Sequence, residues 1–305
     1  MKPKVLIVGL GKIGMMYDFS KKINFSNHAD SFFNNKNFKL VGGVDTKHKK
    51  RKLFAKKYKL PSYSDFVNAY KKLKPNILTI SVPTDKFDNI FNLIISNNLR
   101  PKLILLEKPG SYNFINLKFF NNYCKKKKIQ LFINYQRIYS ENLNKIKANI
   151  TPKVIGKILS INIFYHKGFY NSCSHYINFL FKILNKNKFN NLKIINFKKK
   201  NDDYLINFNV YLKYILKFRT NKKNFDEKIV INGSKAKFFY FTEKSKVYVL
   251  KNRKKINIDN DFDKLQLNVL KKIIYLYGTN VNFNINNNLK TLKFLNFVTR
   301  KLQKS

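Results

Sequence analysis

Four aliphatic residues, Val5-Leu6-Ile7-Val8, run straight into Gly9-Leu10-Gly11-Lys12-Ile13-Gly14. A short apolar run ending in Gly-x-Gly-x-x-Gly reads as a strand buried on both faces, a tight turn and the start of a helix. In such a unit Gly9 allows the turn, Gly11 lets the backbone approach a pyrophosphate, and Gly14 lets helix and strand pack closely. The N–H groups at the helix start, from Lys12 and Ile13 on, are then placed to receive phosphate. A second apolar run, Leu40-Val41-Gly42-Gly43-Val44, ends in Asp45, where an acidic residue meets the hydroxyls of an adenosine ribose. These spacings predict a dinucleotide site. Asp45 favours NAD, because a carboxylate repels a 2′-phosphate. Lys47, Lys49 and Arg51 follow closely and offer that phosphate cations, so NADP stays open.

The rest of the first half keeps the same rhythm. Lys4–Val8, Phe38–Val44, Asn76–Ser81, Leu103–Leu106 and Ile129–Ile133 are short Val-, Ile- and Leu-rich strand candidates. Helical stretches separate them at Lys47–Tyr58, Ser64–Leu73, Asp85–Asn97 and Asn113–Lys127, with Ser64 and Thr84 as N-cap candidates. Strands alternating with helices predict a parallel sheet wrapped in helices. The segment Met15–Asn27 is long for a glycine loop leading into a helix, and reads equally as a surface insertion or a flap. After about Asn134 strands dominate: 157–164, 192–198, 204–211, 214–219, 228–231, 236–241 and 246–250. Helical spacing returns at Ser174–Leu184, Asp261–Tyr277 and Asn288–Leu302. The division expected is an α/β Rossmann domain over 1–133, and an α+β domain over 134–305 built on a largely antiparallel open sheet.

A formal net charge of +46 invites a nucleic-acid reading. All but six of the 62 basic residues are lysines, however, spread along the chain among abundant Asn, Ile, Phe and Tyr. Phosphate and base-edge readers favour the bidentate fork of arginine. The charge therefore reads as compositional drift, and nucleic acid is not the expected partner. The field would still attract anionic ligands. Cys124 and Cys173 provide no disulfide framework and no metal-ligand spacing, so no metal is expected. The run after Lys2-Pro3-Lys4 is too short for a signal peptide, and no stretch reaches transmembrane length. A cytoplasmic protein without membrane contact is the expectation.

At the end of the fifth strand candidate stands Leu105-Leu106-Glu107-Lys108-Pro109. Ligands of open α/β sheets sit at the carboxyl ends of the strands, which aims Lys108 at the cofactor. With the glycine loop, with Ile80-Ser81-Val82-Pro83-Thr84, with Asn134-Tyr135-Gln136-Arg137 and with Asn171-Ser172-Cys173-Ser174-His175, the chain resembles the Gfo/Idh/MocA family of glucose–fructose oxidoreductase and inositol dehydrogenase. The resemblance runs from Val5 to about Leu184. It implies an NAD(P)-dependent dehydrogenase or reductase acting on a sugar or sugar nucleotide, with surface-polysaccharide synthesis as a natural setting. It also implies a cofactor site of Gly9, Gly11, Lys12, Ile13, Gly14, Asp45, Val82, Pro83, Thr84, Glu107 and Lys108. The same resemblance makes Lys108 and His175 catalytic and substrate-facing, with Asn171 beside them; Arg137 and Tyr139, which follow the last Rossmann strand, and Tyr165, which flanks Gly168, are further candidates to line the substrate cleft. Lys167 and Tyr170 flank Gly168 and are weaker candidates for the same lining.

The chemistry suits these residue types. A histidine takes a hydroxyl proton in the right pH range, and a lysine ammonium stabilises the developing alkoxide. The family's aspartate four residues before the histidine is Asn171 here, and the acidic residue three after it is Asn178. Phe87, where the family has a histidine, reads as packing, and His28, His48 and His166 read as bland. A homodimer or homotetramer joined through the second sheet is expected. The competing reading is a catalytically retired Rossmann protein serving as a basic nucleic-acid-binding or scaffolding protein. A biliverdin- or dihydrodipicolinate-type reductase shares the Rossmann half but gives no reason for the stretch around His175.

Overall fold

The computed structural model describes residues 2–20, 25–166, 168–184, 192–200, 203–210, 214–220, 226–242, 245–279 and 283–303. They form two compact units, one of Met1–Asn134 with Gln266–Leu292, the other of Tyr135–Leu265 with Lys293–Ser305.

The first unit holds a six-stranded parallel sheet: β1 Lys4–Val8, β2 Lys39–Val44, β3 Ser62–Tyr63, β4 Ile77–Ile80, β5 Leu103–Leu106 and β6 Gln130–Ile133. Their order is β3-β2-β1-β4-β5-β6, the doubly wound arrangement whose reversal beside β1 opens a crevice at the carboxyl ends. Val5, Leu6, Ile7 and every residue of β4 and β5 are buried, as expected of strands covered on both faces. Helices His48–Tyr58, Phe66–Leu73, Phe87–Ser96 and Phe114–Lys126 supply the cover. Phe87 is fully buried against Phe91 and serves packing, as its apolar character implied.

Two expected caps move by a residue or more. Asp65, not Ser64, caps the helix Phe66–Leu73, its Oδ1 accepting from Asn68 N–H at 2.6 Å. Thr84 opens a 3-10 turn, Thr84–Lys86, and the α-helix proper begins at Phe87 with no side-chain cap. The return of Gln266–Leu292 to the first unit has no marker in the sequence. It is fastened there by Phe283, whose N–H donates to Gln130 Oε1 at 2.8 Å and whose ring stacks on Phe132 at 4.9 Å.

The second unit is built on an eight-stranded sheet: β7 Ile158–Tyr165, β8 Leu192–Lys200, β9 Asp203–Val210, β10 Tyr214–Thr220, β11 Lys228–Gly233, β12 Lys237–Phe241, β13 Lys246–Lys251 and β14 Lys254–Asn257. The order is β14-β13-β12-β11-β7-β10-β9-β8, antiparallel except where β7 meets β10. β14 is an addition that the sequence pattern did not mark, four exposed residues paired to β13. Alternation is clean along β11, β12 and β13. Ile229, Ile231, Phe238, Tyr240, Val247 and Val249 turn to the buried face. The helix Ser174–Ile183 covers that face, with the Phe179 ring 5.2 Å from Tyr240 and 5.9 Å from Phe262. Among the described residues no helix is long and apolar enough to cross a membrane.

Asp65→Ala is expected to destabilise the first unit by about 1 kcal/mol in urea denaturation, and Ser64→Ala to leave it within about 0.5 kcal/mol.

Candidate active site

The glycine loop is shaped by contacts that no side chain could share. Gly9 lies at φ +97°, and a Cβ there would stand 2.8 Å from the backbone of Ser81 and Val82. At Gly14 a Cβ would stand 2.0 Å from the Gly9 carbonyl oxygen. Ser81 Oγ completes the closure, donating to Gly9 O at 2.7 Å. Gly11 differs. Its φ is an ordinary −77°, and the nearest atom to an added Cβ is Lys50 Nζ at 3.9 Å. Protein packing does not demand glycine there. The bare backbone instead fronts open space of the kind a pyrophosphate needs, so the residues fit a dinucleotide.

The turn after the loop departs from expectation. In place of a long α-helix, Lys12–Met16 form one π-helical turn in which Met15 and Met16 donate to Gly11 O. The loop N–H groups are therefore not backed by a long helix and its dipole. Lys12 is exposed and Ile13 half-buried. The described ends of the segment that follows are pinned. Asn27 Nδ2 donates to Tyr17 O at 2.8 Å, and Lys57 Nζ donates to Phe19 O at 2.9 Å. Asn27 then caps a short helix, His28–Phe33.

Asp45, just past the end of β2, is tied into the fold by both carboxylate oxygens. Its Oδ2 accepts from Leu10 N–H inside the glycine loop at 2.9 Å, and its Oδ1 from Lys47 N–H at 2.9 Å. Lys50 pairs with it at 3.3 Å. Arg51 turns onto the carbonyls of Asp45 and Thr46. Val82, Pro83 and Thr84 follow β4 directly beside Gly9, with Val82 and Thr84 half-buried and Pro83 exposed.

At the end of β5, Glu107 is buried and Lys108 half-buried, and the Lys108–Pro109 peptide is cis. Glu107 Oε1 accepts from Asn134 Nδ2 at 2.6 Å and lies 2.8 Å from His28 Nε2. Asn134 belongs to a stretch that carries the resemblance, but no bond to Glu107 was read for either partner. His28 looked bland because 79 positions separate it from Glu107.

In the second unit Asn171 is exposed on a π-helical turn, Gly168–Cys173, and accepts from Ser174 Oγ at 3.1 Å through its carbonyl. His175 is half-buried on the first turn of the helix Ser174–Ile183, its ring edge-on to Tyr135 at 5.6 Å. Arg137 is held by its own unit, with Nε donating to Tyr240 OH at 2.8 Å and the guanidinium over the Tyr176 ring at 5.2 Å. Tyr165 is fully buried near Phe169, a packing position, which corrects its assignment to the substrate lining. Tyr170 bonds Asn296 and Thr299 of the last helix, and Lys167 lies outside the described residues.

Glu227 organises this region and escaped the sequence reading, since nothing local marks it. Its Oε1 accepts from Ser172 Oγ and from His166 N–H at 2.9 Å, and its Oε2 from Tyr176 OH at 2.7 Å. Burial above all, with the Glu227 charge adding to it against Arg137, pushes the Tyr176 phenol up, so it stays a donor. One carboxylate thus ties down Ser172, next to Asn171, and Tyr176, next to His175.

Residues 3–135 match a family model, the Gfo/Idh/MocA oxidoreductase family with its NAD-binding Rossmann fold. The match makes the first unit an NAD-binding Rossmann domain of the Gfo/Idh/MocA oxidoreductase type. The family is one of oxidoreductases, and the domain that matches it is the one that binds NAD. No curated protein matches the chain. Solved structures share the fold of both units. A putative NADPH-dependent oxidoreductase from Desulfitobacterium hafniense superposes with a TM-score of 0.77 at 16% identity, over 100% of this chain and 97% of that one. A 3-ketoreductase from Actinomadura kijaniata, solved with TDP-benzene and NADP, gives 0.79 at 8% identity over 98% of each chain. A UDP-N-acetylglucosamine 3-dehydrogenase from Acidithiobacillus ferrooxidans gives 0.74 at 9% identity, over 98% of this chain and 97% of that one. At these identities the likeness is one of fold.

The two loop glycines should separate in experiment. Gly11→Ala is expected to keep the melting temperature and weaken NAD(P)H binding by about tenfold or more, read by fluorescence titration. Gly14→Ala should lower the melting temperature itself, because its Cβ overlaps the Gly9 carbonyl. Glu227→Leu, which strands three donors, should cost on the order of 3 kcal/mol in denaturation.

Proposed function

We propose that this protein is a Gfo/Idh/MocA-type oxidoreductase that interconverts a carbinol and a carbonyl on a sugar or sugar nucleotide, with NAD or NADP as redox partner, in the cytoplasm and in surface-polysaccharide synthesis. The observation that carries the reading is Lys108. It follows a buried, hydrogen-bonded Glu107 at the carboxyl end of β5, where a doubly wound sheet receives its ligands. One protein with this fold is named for a nucleotide sugar, and a 3-ketoreductase with this fold was solved with a TDP compound, which supports the substrate class. The basic field adds attraction for a nucleotide diphosphate.

The dinucleotide, when bound, supplies the hydride acceptor or donor. The chain's own residues handle the oxygen and its proton. Lys108 donates from its ammonium to the carbinol oxygen and stabilises the charge that develops there. His175 takes the hydroxyl proton in oxidation and returns it in reduction. Asn171, lacking a carboxylate, orients a hydroxyl through its amide without relaying a proton. Arg137 keeps guanidinium N–H groups beyond the Nε bonded to Tyr240 and is the polar neighbour for an anionic substrate group.

A homodimer or homotetramer is part of this proposal. Along the face of the second sheet opposite its core, Phe239 stacks on Tyr248 at 4.8 Å, and Lys228 spans the Phe164 and Phe241 rings at 5.0 and 5.3 Å. A half-buried aromatic face with cations laid over it suits association of like surfaces.

Thermal-shift screening of NAD(H) and NADP(H) with sugar nucleotides tests the reading, and stabilisation by neither coenzyme would sink it. Lys108→Ala should reduce kcat/KM by on the order of 10²–10⁴-fold while leaving the coenzyme dissociation constant nearly unchanged. Loss of coenzyme binding along with turnover would refute the role given to Lys108.

A further inference from the structure

A buried polar cluster sits behind Lys108 and has no part in the chemistry described so far. His28 opens the helix His28–Phe33 and is fully buried. Its Nε2 faces Glu107 Oε1 at 2.8 Å, and its Nδ1 lies 3.2 Å from the side-chain amide of Gln266 on the helix Leu265–Gly278. Asn134, just past β6, donates to the same Glu107 oxygen at 2.6 Å. The carboxylate is therefore held directly from two elements remote in sequence, with a third, bearing Gln266, behind His28, and Lys108 is its neighbour in the chain.

We propose that His28 is a positioning residue of the reaction: by holding the Glu107 carboxylate it sets the place and the charge environment of Lys108. The proposal rests on the reading that Lys108 acts on the reacting oxygen. A core histidine that only fills space needs no carboxylate partner. Here a charge is taken out of water and kept, which is costly unless something depends on it. Burial pushes the Glu107 carboxyl up, but the bond from His28, the bond from Asn134 and the Lys108 charge outweigh it and bring the group below its ordinary 4.5. The groups facing Glu107 are thus His28, Asn134 and Lys108, with Gln266 acting through His28. A carboxylate with a lowered pKa keeps its charge above the ordinary value and loses it as pH falls through the lower one. Removing the His28 donor moves that loss to higher pH.

Two variants make the test, His28→Leu, which deletes the donor, and His28→Gln, which keeps an N–H at similar reach. The chain has four glutamates, Glu107, Glu141, Glu227 and Glu243, so selective 13C labelling gives a readable carboxyl titration by NMR. In His28→Leu the Glu107 carboxyl should titrate about one unit or more higher than in the wild type, and His28→Gln should bring most of that back. In turnover, His28→Leu should lose about tenfold or more in kcat with NAD(P)H affinity held within about threefold, the usual scale for a supporting residue. The acidic limb of the kcat profile should rise with the Glu107 titration, and His28→Gln should recover it. An unmoved Glu107 titration overturns the proposal. So does equal loss in both variants together with melting temperature and coenzyme binding, which is the signature of packing alone. Wild-type protein that binds NAD(P)H but turns over no sugar overturns the sugar reading by itself, and the glutamate titration still decides whether His28 holds Glu107.

Discussion

Gly14 packs over the Gly9 carbonyl, and Gly9 over the Ser81–Val82 peptide, at distances that a Cβ cannot share. That close approach brings the ends of β1 and β4 together with the turn between strand and helix. It fixes where the bare Gly11 backbone points, and therefore where a dinucleotide can lie. Asp45 reinforces the arrangement by accepting from Leu10 N–H, so the end of β2 joins the same contact. The end of β5, which Lys108 follows, joins the end of β4 through Glu107 N–H donating to Ile80 O at 2.9 Å.

The first sheet could be read from the chain because its strands are buried on both faces and announce themselves as unbroken apolar runs. Leu103–Leu106 coincides with β5 and Lys4–Val8 with β1. The second sheet was legible as a series of apolar and aromatic runs, but which face is buried was not: Phe238 and Tyr240 turn inward and Phe239 and Phe241 outward within one unbroken aromatic run. Tyr165 shows the limit of that approach. Its place beside Gly168 suggested a ligand, while its complete burial was settled by packing from elsewhere.

What escaped the sequence was the set of contacts made across long separations. His28 meets Glu107, Glu227 meets Ser172 and Tyr176, and Gln266 meets His28, with 79, 55, 51 and 238 positions between the partners. No local pattern announces such pairs, because each side chain is ordinary where it stands. The shortened helix after the glycine loop was hidden for a related reason. Helical spacing fails at Tyr17, and what redirects the chain is the pinning of Asn27 and Lys57 to its backbone.

The acids of this chain are few, 16 against 62 bases, yet Asp30, Asp45, Glu107, Glu227 and Asp261 each accept from at least two donors. Drift toward lysine and asparagine has been free to rewrite the solvated surface, where a change of charge costs little. At these five positions the same change would strand several donors at once. The surviving carboxylates thus mark where the mutational tolerance of the fold runs out, and a library of neutral substitutions should be depleted there before it is depleted anywhere on the basic exterior.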